Sequence, residues 1–599
     1  MGSWQDMADR IITTDVLIIG SEGAGGTAAV SARKRNLKVT VATKGSDIRR
    51  SGASVTGDGA IAFDSVTLKR HGITGARDDD SPDLFFRDIV RGGKYLNNQK
   101  MVEAHVSDAP ARFEMLKEWG VPFTYCGHAS GHSAPRSAFI PGPKLMPPIR
   151  NAVLQSGAEV VTNIMITDLL TQGNRVIGAV GLDMETGGFV AIHARAVVNC
   201  TGGAMRIFPY TSAPEELTGD GMAMSYRAGA ELINMEFPMF IPGGFIWPEA
   251  VKGIDLPFLI SASGARMQGA MLNCWGDRFM RHWDPDKLER TTRDIVSVAM
   301  MLEVRQGRGS EHGGVYVTFA GLPKTIVDRW EKMVPPELYF GYGGFDMKKI
   351  LPDLRTDAVE AAPVCHFWNG GVRINERCET SLAGYYASGE VTGGLHGANR
   401  IGDNAYTEMV VWGTRSGSFA SEYAAGAEFG QVDASQVAAL KQRVYRPLKK
   451  EGGLSPVEAR KELQALAWEK VGVLRTGLEL EKALKTLAEW RAERVPTVTA
   501  RAKHRSWNRD WFFALEYENM VQTLEMVATA ALHRTESRGA NYRLDYPMTD
   551  NDNWLKNIVL KQEDGRLKLW TEPIVITKYQ PPAGVFPYGK LEPLTVGKP

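Results

Sequence analysis

DVLIIGSEGAGGTAAVSARKRNLKVTVAT, residues 15–43, reads as a short apolar β-rich run, a glycine turn, a helix with small residues toward the strand, and a second apolar strand. This β-turn-α-β order is the context that a glycine fingerprint needs before it counts as a dinucleotide site. Gly20 permits the tight bend, Gly25 the close packing of helix on strand, and Gly23 and Gly26 keep the loop small. The helix N-terminus presents N–H groups to a phosphate. Glu22 stands where a glycine normally lets backbone approach the diphosphate. Two orientations are open to it, outward or toward a ribose hydroxyl. The stretch alone favours a bound dinucleotide over an unrelated α/β turn.

The remaining composition narrows the class. At 599 residues the chain exceeds one hydrophobic core. Seventy basic residues against 69 acidic ones leave a net charge of +1, which argues against nucleic acid. No apolar run approaches the roughly 20 residues of a membrane helix, and MGSWQDMADR lacks the apolar core of a signal peptide. The expectation is a cytoplasmic chain, attached to a membrane only through partner subunits. The five cysteines, Cys126, Cys200, Cys274, Cys365 and Cys378, are never spaced as CxxC. A self-contained iron–sulfur or zinc site of the common kind is therefore not expected, and no metal ligand is assigned.

Along the chain, NRVIGAVGLDMETGGFVAIHARAVVNCTGG (174–203) describes a β-meander closing in a glycine turn. TGDGMAMSYRAGA (218–230) starts a helix behind a Gly-Asp-Gly loop. Residues 245–355 are rich in Trp, Pro and Gly, without strand–helix alternation, as in an inserted domain. The nucleotide pattern resumes at LAGYYASGEVTGG (382–394), and 455–540 carries apolar residues at helical spacing. The expected division is 1–244 and 356–440 for an FAD-type domain, 245–355 for a capping domain, 441–540 for a helical domain and 541–599 for a tail.

GEVTGGLHGANRIGDNAYTEMVVWGTRSG, residues 389–417, is more specific. It resembles the flavoprotein subunits of fumarate reductase and succinate dehydrogenase. RSGASVTGDGAIA (50–62), VVNCTGG (197–203), TGDGMA (218–223), RFM (278–280), TTRD (291–294) and ESRGANYRLDYP (536–547) follow in the family's order. The resemblance implies an α/β fold with a Rossmann-like FAD-binding domain, an inserted α+β capping domain, a C-terminal helical bundle and a small tail domain. It also implies FAD contacts from Gly20, Glu22, Gly23, Ala24, Gly25, Thr43, Lys44, Ser51, Gly52, Gly57, Gly59, Thr201, Gly202, Asp220, Glu390, Asn404, Ala405 and Tyr406. Where the family joins a histidine covalently to flavin, this chain has Gly52, so non-covalent FAD is expected and the reducing direction is favoured.

The family reaction moves a hydride between flavin N5 and one carbon of a C=C bond and a proton to the other. By resemblance Arg293 is the proton donor, His366 and Arg400 hold substrate carboxylate, and Arg266 belongs to the proton relay. The planar guanidinium fork suits a carboxylate. The family's relay glutamate is Ser263 here, the RGEGG glutamate is Gln268, and a further carboxylate-binding histidine is Ile241. An apolar wall at Ile241 fits an unsaturated acid with one carboxylate and a larger apolar end at least as well as fumarate. Read singly, Arg293 is a surface residue paired with Asp294 and His366 a core histidine bonded to backbone. Cys365 reads as a buried spectator, and CGHASGH (126–132) as a loop bordering the site. The expected function is reduction of a fumarate-like C=C bond, or its reverse, with electrons exchanged through an iron–sulfur partner. The alternatives are an adenylylsulfate-reductase-like flavoenzyme, suggested by RSGA, and a non-catalytic flavin electron-transfer subunit.

Overall fold

The structure is a computed structural model that describes residues 3–48, 52–57, 59–254, 269–325, 352–449, 451–590 and 595–596. Ser51, Ser263, Arg266 and Gln268 lie outside the described residues.

The first strand, β1 (Arg10–Ile19), ends in the buried run Leu-Ile-Ile, and β2 (Val39–Ala42) is buried throughout. Uninterrupted apolar residues of this kind suit parallel strands covered on both faces. Val16 lies beside Val39 on one side and Ala196 on the other, both in parallel register. With β3 (Glu159–Val161), β4 (Ile164–Gln172), β5 (Arg175–Asp183) and β6 (Phe189–Asn199), the order is β3-β2-β1-β6-β5-β4. Tyr385–Ala387 also pairs with β6 in parallel. The expected meander is β4-β5-β6, each pair antiparallel.

Helix α1 runs over Gly23–Arg33 and so takes in the glycines of the second half of the turn. The glycines allow it, since a Cβ on Gly25 would run into the Gly20 carbonyl. Helix α2 covers Asp220–Arg227, α3 Arg293–Arg305 and α4 Asn404–Gly426. Helix α4 lies against α1 with almost no side chain between them: a Cβ on Gly413 would strike the Ala24 carbonyl and Thr27 hydroxyl, and one on Gly417 the Ala28 carbonyl. Thr27 Oγ1 donates to Met409 O across the seam at 3.1 Å. The seam brings the N-termini of α1 and α4 together beyond the carboxyl end of β1, where ligands bind in open α/β sheets.

A second sheet pairs β7 (Pro238–Phe245) with β8 (Ala358–Trp368), then Val315–Thr318, then Ala270–Leu272. Helix α3 packs on it, with Ser297 Oγ donating to Phe240 O at 3.2 Å. The 245–355 stretch therefore does contain strands and a helix. Two of those strands are only three and four residues long, too short for their pattern to stand out. Toward the C-terminus, α5 (Pro456–Val471), α6 (Gly477–Glu489) and α7 (Arg509–His533) pack together. The hairpin Lys556–Glu563/Arg566–Pro573 then pairs with Leu232–Ile233.

Candidate active site

A cleft of about 1690 Å³, counting its open mouth, runs between the β1–α1 turn, the start of α2, β7, β8 and the start of α4. At one end, Gly20 has φ +99°, and a Cβ there would meet the Cys200 carbonyl. Only glycine accepts both the left-handed backbone and this approach. Gly20, Glu22, Ala24, Thr43, Lys44, Gly52, Gly57, Gly59, Thr201, Gly202, Asp220, Glu390, Ala405 and Tyr406 all line the cleft. Gly23 and Gly25 sit behind that lining, buried in the turn. Asn404 is fully buried, with its side chain beside His105.

Two placements differ from the plain reading of the sequence. Glu22 does not turn outward; its Oε2 accepts the Ser54 N–H at 2.8 Å. Burial, only partly offset by that bond, pushes its carboxyl up to about 8. Lys44 pairs with Asp220 and, at 2.9 Å, with Glu516 of α7. Burial works against the charge on Asp220, but the Lys44 ammonium and the Asn519 and Thr218 hydrogen bonds hold the carboxyl below its usual range.

At the other end the cleft is lined by Ile241, Arg293, His366, Phe367 and Arg400. Arg293 does not pair with Asp294, whose partner is Lys94 at 3.2 Å. Its Nε and Nη1 are shielded from solvent without a partner among the described residues, as is Nε of Arg400. The Arg400 guanidinium lies over the Phe367 ring, 4.5 Å from its centroid, and donates through Nη1 to Ile401 O at 3.1 Å. Burial, then the Arg293 charge beside it, presses Arg400 down to about 9. His366 Nδ1 bonds a hydroxyl, Ser212 Oγ, at 2.8 Å. Burial and the two arginine charges hold its imidazole well below the ordinary range, so it is neutral at pH 7. Buried cations with unused donors, beside a neutral imidazole, make a strong site for an anion. Ile241 joins Met239, Val364 and Phe367 in an apolar cluster on the same wall.

Cys365 is fully buried between these strands, with its thiol raised by burial. The 126–132 loop packs on the Arg400–Asp403 turn through His132, whose Nε2 bonds Gly402 O at 2.8 Å. Ser212, Phe367, Glu408 and Met409 line the cleft without having been singled out from sequence. Glu408 and Met409 follow Ala405 by one helical turn, so the 3.6-residue period of α4 marks them. Ser212 carries no such signal, because its loop reaches β8 through contacts distant in sequence, among them the bridge between Thr211 and Cys365.

The donors and glycine cradle at one end fit FAD, and comparison with known proteins agrees. Residues 15–405 match the FAD binding domain family and 460–586 the fumarate reductase flavoprotein C-terminal family. The chain is 33% identical to a fumarate reductase (CoM/CoB) chain of Methanothermobacter marburgensis, over 93% of this chain and 98% of that one. It superposes on quinol fumarate reductase of Escherichia coli with a TM-score of 0.85 at 29% identity, covering 96% of this chain and 99% of the other. Adenylylsulfate reductase of Archaeoglobus fulgidus shares the fold, with a TM-score of 0.77, 19% identity and coverage of 96% and 98%. With the first match spanning the β1–α1 turn and the strands that build the cleft and the second covering the C-terminal helices, the chain belongs to the fumarate reductase and succinate dehydrogenase flavoprotein family, FAD-dependent oxidoreductases acting on a carbon–carbon single or double bond.

Proposed function

We propose that the chain reduces the C=C bond of a fumarate-like unsaturated carboxylic acid, or runs the reverse, with Arg293, His366 and Arg400 as the substrate-facing residues. The observation that carries this is the pair of buried guanidiniums on one wall of the FAD cleft, each with N–H groups that meet no partner among the described residues. FAD bound there supplies two-electron chemistry, giving or taking a hydride at flavin N5. Arg400 and His366 hold one carboxylate, and charge on that carboxylate relieves the repulsion between Arg400 and Arg293. Arg293 delivers a proton to the carbon that does not take the hydride. Since a guanidinium holds its proton tightly, the proton must be replaced at once through a relay.

The remaining contacts follow the same reading. Gly20, Glu22, Gly23, Ala24, Gly25, Thr43, Lys44, Gly52, Gly57, Gly59, Thr201, Gly202, Asp220, Glu390, Asn404, Ala405 and Tyr406 hold FAD, and Gly52 offers no side chain for a covalent flavin link. An iron–sulfur partner exchanging electrons with this chain is supported by the relatives of Methanothermobacter marburgensis and Escherichia coli, each named as one subunit of its fumarate reductase. Among the described residues no helix is long and apolar enough to cross a membrane, and a cytoplasmic location is part of the proposal. The apolar cluster around Ile241 extends the substrate range to acids with one carboxylate and an apolar end.

The test is anaerobic. Flavin is reduced by light, fumarate is added, and the oxidised flavin band is followed. Rapid reoxidation is expected, slowed roughly 10²–10⁴-fold in Arg293→Ala. Reoxidation by adenylylsulfate alone would sink the proposal in favour of the sulfur-reducing relatives. An Arg293→Ala protein as fast as wild type would remove Arg293 from the chemistry.

A further inference from the structure

Arg400 lays its guanidinium on the flat face of Phe367, and a ring face alone leaves the guanidinium free to rotate in its own plane. The hydrogen bond from Nη1 to Ile401 O, at 3.1 Å, removes that freedom. The acceptor is the carbonyl of the Ile401–Gly402 peptide, and the 126–132 loop, distant in sequence, grips this peptide. Its N–H, on Gly402, donates to Ser130 O at 2.9 Å. The next carbonyl, Gly402 O, bonds His132 Nε2 at 2.8 Å. Packing is close on both residues: a Cβ on Gly131 would run into the Ile401 side chain, and one on Gly402 into Ala129.

His132 is itself oriented from behind. Its Nδ1 faces Arg136 Nη1 at 3.3 Å. A guanidinium offers only donors, so Nδ1 is the acceptor of this contact and the ring proton sits on Nε2. Nε2 therefore donates to Gly402 O. Arg136 is in turn held fast: it is fully buried, its Nε donates to Asp80 Oδ2 at 2.8 Å, and its Nη1 also donates to Asp88 of the helix Pro82–Gly92. Burial and the Arg136 charge hold the imidazole down to about 4, which agrees with this neutral tautomer at pH 7.

We propose that His132 is a positioning residue for substrate binding, its Nε2–H fixing the Ile401–Gly402 peptide that orients the Arg400 guanidinium toward the substrate carboxylate. The inference rests on the reading of Arg400 as a carboxylate ligand. Its line of action runs from Arg136, through one imidazole tautomer and one peptide, to the guanidinium. His132 acts on affinity for the acid without touching it.

The experiment measures steady-state reduction of fumarate by the flavin-loaded full chain, with a reduced viologen dye as electron donor. Two substitutions divide the imidazole between its nitrogens. His132→Asn keeps an acceptor for Arg136 near the place of Nδ1 but has no donor within reach of Gly402 O. His132→Gln keeps an amide N–H near the place of Nε2. His132→Asn should raise KM by about three- to tenfold, the value of one hydrogen bond, with kcat within about twofold and flavin content unchanged. His132→Gln should stay within about twofold of the wild-type KM. In an Arg400→Lys background His132→Asn should have no further effect, because the guanidinium it orients is gone. A wild-type KM in His132→Asn overturns the proposal, and so does an effect that adds in full to that of Arg400→Lys. A His132→Gln protein whose KM rises more than about threefold overturns it too, even if His132→Asn does not fold. An unchanged KM in Arg400→Lys overturns the reading of Arg400 and this inference with it. A raised KM in Arg400→Lys beside a wild-type KM in His132→Asn overturns this inference alone.

Discussion

Arg400 is a charge that the fold buries before it has a partner. The residue is 4% exposed; its guanidinium rests on the Phe367 ring and spends one N–H on the Ile401 carbonyl. Burial and the neighbouring Arg293 lower it to about 9, which still leaves the guanidinium charged at neutral pH and able to take an anion. Arg400→Lys keeps the charge but loses the planar fork and the stacking surface. The expected outcome is a rise in KM for fumarate of roughly ten- to a hundredfold, the value of one charge-assisted hydrogen bond, with flavin content unchanged. Steady-state kinetics on protein with matched flavin absorbance checks it, and an unchanged KM would exclude Arg400 from substrate binding. Arg400 was legible in the sequence because a charge inside the glycine-rich HGANRIG turn seldom serves packing. The orientation of Glu22 was not legible. Its landing place on Gly52 and Ser54 depends on a loop approach that no local pattern encodes.

Helices α1 and α4 both begin at the cleft, and their seam works because side chains are missing from it. Gly413 and Gly417 lie one turn apart on α4 and press on the backbone of α1 at Ala24 and Ala28. Gly413→Val should therefore separate the two helix N-termini, costing about 1–3 kcal/mol or more and releasing FAD. Gly426→Ala, at the far end of the same helix, adds a Cβ that meets nothing and should be neutral or slightly stabilising. Denaturant midpoints and retained flavin for the two variants decide the matter; equal losses would show that α4 tolerates no substitution rather than that the seam is tight. At this scale the sequence spoke clearly where the pattern is local. Short apolar-rich runs marked the end of β1 and β2, and alternation with a turn marked β5 and β6. It was silent about the short strands of the capping region, because three or four residues do not make a period.

The cleft draws on residues from Ile19 to Met409, and Lys44 reaches Glu516 on a helix 472 residues away. Such long-range pairs are set by topology, which is why the family motifs could be read in order while their mutual contacts could not. Gathering them leaves buried groups of both kinds, and these give the FAD-free chain a defined response to pH. His105 is held down to about 3 and His132 to about 4 by burial, and His366 also lies well below its ordinary range. Their contribution is complete above the unfolded value near 6.5 and is lost as pH falls toward 4. Glu22 and Glu390 are raised to about 8 by burial, against 4.5 when unfolded. Their contribution is complete below 4.5 and is lost as pH rises toward 8. Between pH 6.5 and 8 the histidines no longer act, while Glu236, Glu516 and Glu525, also raised by burial, pull with the two glutamates. Stability of the FAD-free chain should therefore fall across that window, by at most about 1.4 kcal/mol per pH unit for each of Glu22 and Glu390. Guanidinium midpoints at pH 6.5 and 8 measure the fall, and Glu22→Gln with Glu390→Gln should remove most of it. A midpoint that stays level or rises with pH in the wild-type chain would mean that these carboxyls are ionised in the folded cleft, and that its cations, not its protons, hold the two walls together.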